Sequence, residues 1–527
     1  MFMLLLLVLL AYSTHSYKMA VIVWDISNSQ LLFNVRVAEV LANAGHDVTI
    51  VCISSMSDRD NSDIKISSKV KVHTVFAATN FTRKEMEDKQ EELVYGDLSA
   101  LQLMSRFSQQ TQMIVDTCRA TLKKKELIPW LKSQKFDLAF AHIFDVCPIA
   151  LIHAAKIPSW IWLSSGTVMD YMAYLIGIPT IPSYVPPVLM TAVGEMTFTQ
   201  RTKSLIGRAL TKFFWKRQIA DPEMELFQIH ISPDFPDILE LAAKCPLIMA
   251  NTNELYDIPR PTLAKVVQIG GIGMELKDAK PLPKDIQTIV DDGDGVIIFS
   301  FGSVAPAHKM PQKWKEIFLK TFEKFPKYKF LWRYEKDDIK ALLPPNVHAI
   351  KWLPQTDLLR LPKTRVFITH GGFNSIQEAI NTGVPVISIP LFGDQPKNAL
   401  LAKHHGFGLV LQKSEISVET VSAAINEIIS NERYATAAKR MSNMVKHKPV
   451  SPAHLLVRWA EFVAEFKTLE NLEPAGNKLN FIQYHSLDVI LALSVLVIGV
   501  FALVAVLLSY TVRRLVAATS VSKTKRD

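Results

Sequence analysis

The chain has 527 residues, 49% of them hydrophobic, and carries 59 Lys and Arg against 50 Asp and Glu for a formal charge of +9. That length exceeds one ordinary domain and fits two large domains with appendages. The two signs of charge are interspersed, part of the basic excess flanks a C-terminal apolar run, and no nucleic-acid motif is present, which argues against a nucleic-acid partner. Four cysteines, Cys52, Cys118, Cys147 and Cys245, are too few and too scattered for a disulfide framework. Cys52 and Cys147 lie in apolar runs and are expected to be buried thiols.

Residues 1–11 are an apolar core of signal-peptide length, and small residues around 13–16 offer a cleavage site, giving a signal peptide over 1–16. Residues 20–24 read as a strand, 30–44 as a helix, Gly45-His46-Asp47 as a turn and 48–53 as a second strand. This βαβ rhythm predicts a parallel sheet with helices on both faces. Leu32, Val35, Ala38, Leu41 and Ala42 recur near helical spacing, so one face of that helix is core. His46 follows the helix stop and is expected to be structural. Asn80-Phe81-Thr82 is an N-glycosylation sequon.

A helix is expected over 96–125, then a buried strand over 136–141 that ends at His142-Ile143-Phe144-Asp145. Strand ends are where α/β sheets place ligands. After a strand over 157–165, residues 169–235 are rich in Pro, Met and aromatic side chains and read as a loop-rich apolar segment suited to an acceptor pocket. Residues 247–252 and 266–269 are further short strands. Gly270 to Gly273 and the charged stretch after it, with two prolines, read as a domain exit and linker.

The second half opens with a strand over 296–300 that runs into Phe301-Gly302-Ser303, followed by a helix over 311–325 and strands over 328–332 and 347–351. The chain then reaches its most informative stretch. Trp352-Leu353-Pro354-Gln355 precedes an apolar run that enters His370-Gly371-Gly372-Phe373-Asn374-Ser375, a strand, a tight turn and a helix start. The glycines allow close approach of backbone to a ligand, Asn374 or Ser375 is expected to cap the helix, and its first amides then suit a phosphate. Glu378 lies one turn down that helix. A strand over 384–389 delivers Asp394 and Gln395, a carboxylate and an amide able to read sugar hydroxyls. Helices follow over 396–405, 418–430 and 434–448, then an amphipathic segment to 466. Residues 489–508 are an uncharged run of 20, enough to cross a hydrocarbon core of roughly 30 Å. Arg513, Arg514, Lys523, Lys525 and Arg526 on its downstream flank put the tail in the cytosol and the body in the lumen.

The stretch from Trp352 to Gln395 resembles the signature of the UDP-glycosyltransferases, the family that includes the animal UDP-glucuronosyltransferases. The resemblance implies an α/β, GT-B fold: two doubly wound Rossmann-like domains facing a cleft, with a C-terminal transmembrane helix. It divides the chain into an acceptor-binding domain over 17–272, a linker over 273–295, a UDP-sugar domain over 296–450, a crossover helix and juxtamembrane segment over 451–488, the transmembrane helix over 489–508 and a cytosolic tail over 509–527. It further implies that Trp352 stacks on uracil, Gln355 meets the nucleoside, Glu378 takes the ribose hydroxyls, His370, Gly372, Asn374 and Ser375 hold the diphosphate, and Asp394 and Gln395 hold the sugar. Gly302 and Ser303 approach the diphosphate in relatives. No cofactor or metal is implied, and no Asp-x-Asp motif stands at a strand end.

The same resemblance exposes a departure. In this family the base is usually a histidine in the first strand-to-helix loop, aligned by an aspartate at a later strand end. Those positions fall on Gln30 and His142. Glutamine does not take up a proton at neutral pH, whereas histidine does. His142 is therefore the candidate base, with Gln30 as hydrogen-bond partner and Asp145 as orienter. The expected activity is inverting, metal-independent transfer of glucose or glucuronic acid from UDP-glucose or UDP-glucuronate to small lipophilic acceptors. The alternative is a UDP-sugar-binding paralogue with impaired catalysis acting as partner or regulator of active relatives. A homo- or hetero-oligomer is a further partner expectation. The tail, ending Lys523-Thr524-Lys525-Arg526-Asp527, resembles a retrieval signal and implies a single-pass protein of the endoplasmic reticulum membrane.

Overall fold

The computed structural model describes residues 16–523 apart from 27, 57–63, 80–81, 97–99, 143, 275–280 and 303–304. The expected signal peptide up to residue 15, Asn80 and Phe81 of the sequon, Ser303 and the last four residues lie outside that set. The chain forms one compact unit up to Leu472 and a second from Glu473.

The first unit holds two sheets. One contains β1 (Lys18–Trp24), β2 (Asp47–Ser54), β3 (Lys71–Phe76), β4 (Leu138–His142), β5 (Trp160–Ser164), β6 (Leu247–Ala250) and β7 (Val266–Gln268), in the order β3-β2-β1-β4-β5-β6-β7. The other contains β8 (Gly295–Ser300), β9 (Tyr328–Arg333), β10 (Val347–Ile350), β11 (Thr364–Thr369), β12 (Val386–Ser388) and β13 (Gly408–Val410), in the order β10-β9-β8-β11-β12-β13. Every pairing in both is parallel. The order reverses between β1 and β4 and again between β8 and β11. Such reversals open a crevice at the carboxyl ends of the strands.

The unbroken apolar runs are what a sheet covered on both faces requires. Along β1, Met19, Val21 and Val23 enter one core and Ala20, Ile22 and Trp24 the other, the period of two that a strand imposes. Helix α1 (Asn28–Asn43) covers the first face with Leu31, Val35, Ala38 and Leu41. Helices α2 (Ala100–Leu122) and α3 (Cys147–Ala154) contribute to the second.

The helix expected over 96–125 is α2, and a helix that was not expected precedes it over Arg83–Tyr95, started by a capping box of Thr82 and Glu85. Two expectations are corrected here. Residues 169–235 are largely helical: α4 (Phe198–Trp215) runs through a π segment, Lys216–Ala220, into α5 (Asp221–His230). Phe198, Leu205, Ile206 and Phe213 remain exposed on α4, and apolar side chains on the outer face blur the helical period. Cys147 is not a thiol. It is bonded to Cys118, 29 residues earlier, because burying the apolar start of α3 brings it against α2 with a Cα separation of 6.0 Å. Cys52 and Cys245 are buried and not disulfide-bonded.

In the second sheet's domain the site rests on α6 (Phe373–Thr382) and α7 (Gln395–His404). Helix α8 (Pro452–Phe466) then returns to the first domain, where Leu456, Ala460 and Val463 share a core with Met19 and Val21. His46 is structural: its Nδ1 accepts the Tyr17 amide at 3.3 Å and its Nε2 lies 3.4 Å from Glu461 of α8. In the second unit, α9 (Leu487–Lys523) contains the stretch Leu487–Ala518, long and apolar enough to cross a membrane and nowhere buried. It extends the expected span of 489–508 at both ends.

Candidate active site

The residues expected to hold the donor lie at the β8/β11 reversal. β11 ends at Thr369, His370 follows, and Gly371 turns the chain at φ 82°. His370 is sandwiched between glycines. A Cβ on Gly302, itself at φ 71°, would stand 2.8 Å from His370 Cε1, and one on Gly372 would stand 2.4 Å from Nε2. Only glycine fits at either position. Burial, followed by the neighbouring Arg333, pushes the His370 pKa down to about 4. The ring is therefore neutral at physiological pH.

Helix α6 starts at Phe373 with Gly372 in the cap position and no side-chain cap bond. The expectation that Asn374 or Ser375 caps it is thereby corrected: glycine takes the non-helical conformation, and both residues lie inside the first turn. The uncapped amides and the helix dipole form an anion site. Asn374 faces the other domain, its Nδ2 donating to the Ser29 carbonyl at 3.4 Å and its Oδ1 accepting from Asn251 Nδ2 at 3.3 Å. Ser375 is buried beside it.

One turn further on, Glu378 accepts hydrogen bonds from Gln355 Nε2 at 2.6 Å and Thr356 Oγ1 at 3.0 Å. Trp352 is 60% exposed, with the Arg333 guanidinium 5.0 Å from its ring centroid. At the start of α7 the Asp394 carboxylate accepts from Asn398 Nδ2 at 2.8 Å, and burial raises its pKa. Gln395 Oε1 accepts the amides of Leu391 and Phe392, so only its NH2 group remains to read a sugar hydroxyl.

The residues expected on the acceptor side lie at the β1/β4 reversal, where Ile22 pairs with Ala141 in register. Gln30, His142 and Asp145 line one cavity of about 10 Å³ together with Trp24, Ile26 and Phe144, the room of a single water. His142 and Asp145 are both buried. Burial, followed by Glu223, holds the Asp145 carboxyl well above the ordinary carboxylate range. The Asn374 contact with Ser29 puts the α6 terminus beside the residue preceding Gln30, so the two reversals meet. Among the described residues no group of His, Cys, Asp and Glu side chains is arranged to hold a metal ion.

Sequence reasoning missed Arg333, Thr356, Arg36 and Gln377. Arg333 closes β9 next to β8, so the strand-end rule could have found it. Arg36 and Gln377 carry no local signal, because their partners are distant in the chain. Arg36 reaches Glu378, while Gln377 donates to the Asn251 carbonyl and accepts the Gly271 amide.

The family model described as "UDP-glucoronosyl and UDP-glucosyl transferase" matches residues 19–522. Mouse UDP-glucuronosyltransferase 1A7 is 33% identical over 409 residues, covering 76% of this chain and 75% of that protein. The Caenorhabditis elegans protein ugt-50 is 29% identical over 497 residues, 92% of this chain and 93% of its own. Among solved structures, the glycosyltransferase VinC in complex with dTDP superposes with a TM-score of 0.55 at 18% identity, covering 85% of this chain and all of that one. A UDP-glucosyltransferase from Polygonum tinctorium gives 0.56 at 15% identity over 86% of this chain and 99% of its own. Two Rossmann-like domains meeting at a nucleotide-sugar signature define a GT-B glycosyltransferase. The chain belongs to the UDP-glucuronosyl and UDP-glucosyl transferase family, whose donor is a UDP-sugar.

Proposed function

We propose that this protein moves glucose or glucuronic acid from its UDP-sugar to small lipophilic acceptors, with inversion and without a metal, using His142 as the base. The observation that carries the reading is the Asn374–Ser29 contact, which brings the diphosphate end of α6 beside Gln30 and the cavity it shares with His142. A sugar held by Asp394 and Gln395 then faces an acceptor held at the end of β4. The acceptor hydroxyl gives its proton to the imidazole, its oxygen bonds to the anomeric carbon, and the bond to the diphosphate breaks with its electron pair leaving on UDP. The α6 amides stabilise that developing charge. Gln30 orients the hydroxyl by hydrogen bonding.

The body of the chain is assigned to the lumen of the endoplasmic reticulum, with α9 as a single membrane anchor. The Cys118–Cys147 disulfide supports an oxidising compartment. The test uses microsomes carrying the full chain, labelled UDP-glucose or UDP-glucuronate, and a panel of phenols and carboxylic acids. Transfer above vector control that His142→Ala abolishes is expected. Retained UDP binding without transfer would instead favour a donor-binding partner of active relatives, a reading supported by glutamine at the position of the usual base.

A further inference from the structure

Beside Asp145, the residue expected to orient His142, lies a second buried carboxyl to which no role has been given. Asp145, three residues beyond the strand end, is 3% exposed, and Glu223 of α5 is fully buried. Glu223 Oε2 accepts the Val146 amide at 2.9 Å, so the carboxyl reaches from α5 to the residue preceding α3. Neither Glu223 Oε1 nor Asp145 Oδ2 has a hydrogen-bond partner. Two buried carboxyls with an unsatisfied oxygen each resist ionising together, since like charges in a dry site repel strongly.

The loop that presents Asp145 is held in a costly conformation. Phe144 has φ 109°, a region that side-chain-bearing residues rarely adopt. Its N–H donates to the Tyr171 hydroxyl at 3.1 Å and its carbonyl accepts from Trp215 Nε1 at 3.3 Å. Those two rings are stacked, with centroids 4.2 Å apart. Packing therefore fixes Phe144, and Asp145 stands next to it on the cavity that His142 and Gln30 also line.

We propose that Asp145 and Glu223 form a buried carboxyl pair that holds one proton between them and presents a single negative charge to His142, positioning and tuning that imidazole. The tuning role rests on the reading of His142 as the base; the shared proton does not. In this chain the family's carboxylate, lost where His142 stands, is rebuilt from the loop and from α5. The acceptor proton goes to the imidazole, and the pair keeps its own proton throughout. The groups acting on the pair are few. Burial raises both carboxyls, Glu223 to about 8, while the Val146 and Cys147 amides pull in the opposite direction. Tyr171 faces the pair as a protonated hydroxyl, since burial raises it. From the β1 side, Asp25 turns away to accept the Ser55 amide at 3.3 Å.

The test reads melting temperature against pH on the full chain in detergent, and needs no activity. Folded-state pKa values raised above the unfolded ones mean that the fold binds the extra proton, so stability falls as pH rises from about 5 to 8. Asp145→Asn and Glu223→Gln are each expected to flatten that fall by a few degrees relative to the wild type, about 2–4 °C. The infrared difference spectrum of the wild type should show the carbonyl stretch of a protonated carboxyl, shifted in frequency in either variant as the shared proton becomes confined to one group. Unchanged slopes in both variants, or no such band in the wild type, would overturn the pair whether or not the variants fold well. If transfer is measurable, Glu223→Gln should change the shape of the kcat–pH profile with the donor KM within twofold. Flattened slopes in a chain that transfers no sugar support the pair while removing His142 as base.

Discussion

Arg36 of the first domain places its guanidinium 3.7 Å from the Glu378 carboxylate of the second. The carboxylate assigned to the ribose hydroxyls is thus already held by Gln355, by Thr356 and, across the domain boundary, by a cation. Removing Glu378 leaves those donors unsatisfied as well as the ribose. Glu378→Ala is expected to weaken UDP binding about tenfold or more, the worth of a hydrogen bond to a charged group. Arg36→Ala should change it by less than about fivefold, since the pair is long and not fully dry. Calorimetric titration with UDP compares the two, and equal losses would refute the assignment.

Trp352 offers the opposite combination. Being 60% exposed, it contributes little to the fold, so Trp352→Ala should leave stability within about 0.5 kcal/mol. Loss of base stacking should cost about 1–3 kcal/mol in UDP affinity. Denaturant melts and UDP titrations on one preparation separate the two effects. A large stability loss with unchanged affinity would show that the ring serves packing.

The neutral state of His370 has a pH signature of definite sign. Its folded pKa, about 4, lies below the unfolded value near 6.5. The unfolded chain therefore binds the extra proton, and stability is lost as pH falls from about 6.5 toward 4. About 2 kcal/mol should disappear between pH 7 and pH 5 through this residue. His370→Asn should remove that share of the slope in urea melts. Donor affinity above pH 5.5 should show no break attributable to imidazole protonation.

The Cys118–Cys147 bond closes 29 residues, and in the loop-entropy account such a bond is worth about 3–4 kcal/mol. It also fixes the start of α3, two residues after Asp145. Cys118→Ala with Cys147→Ala should lower the melting temperature and remove its sensitivity to dithiothreitol. Equal sensitivity in wild type and double variant would show that the bond is not formed in solution.

The strands of the two sheet centres were legible because buried parallel strands read as unbroken apolar runs, as in β1 and β11. The edge strand β3 was not, since Lys71, Val72 and Phe76 are exposed and its pattern alternates weakly. The grouping of the residues expected at the donor was legible because His370 to Glu378 lie within one turn and one helix. What joins the two domains was not: Asn374 meets Ser29, Gln377 meets Asn251, and Arg36 meets Glu378 only after both sheets exist. Glu223 was equally silent, one acid among several in an amphipathic helix until α5 carries it under α3.

Helix α8 has a consequence for the order of assembly. Leu456, Ala460 and Val463 belong to the same core as Met19 and Val21, and α8 packs on α1, β4, β5 and β7, so a helix made after the second sheet completes the first sheet's cover. During synthesis the first domain cannot close that face until the second domain has been made, and the second is in effect an insertion between a core and its final layer. A chain truncated after Lys446 would carry the donor signature intact yet expose an apolar strip along α1, β4 and β5, and should bind chaperones where the full chain does not.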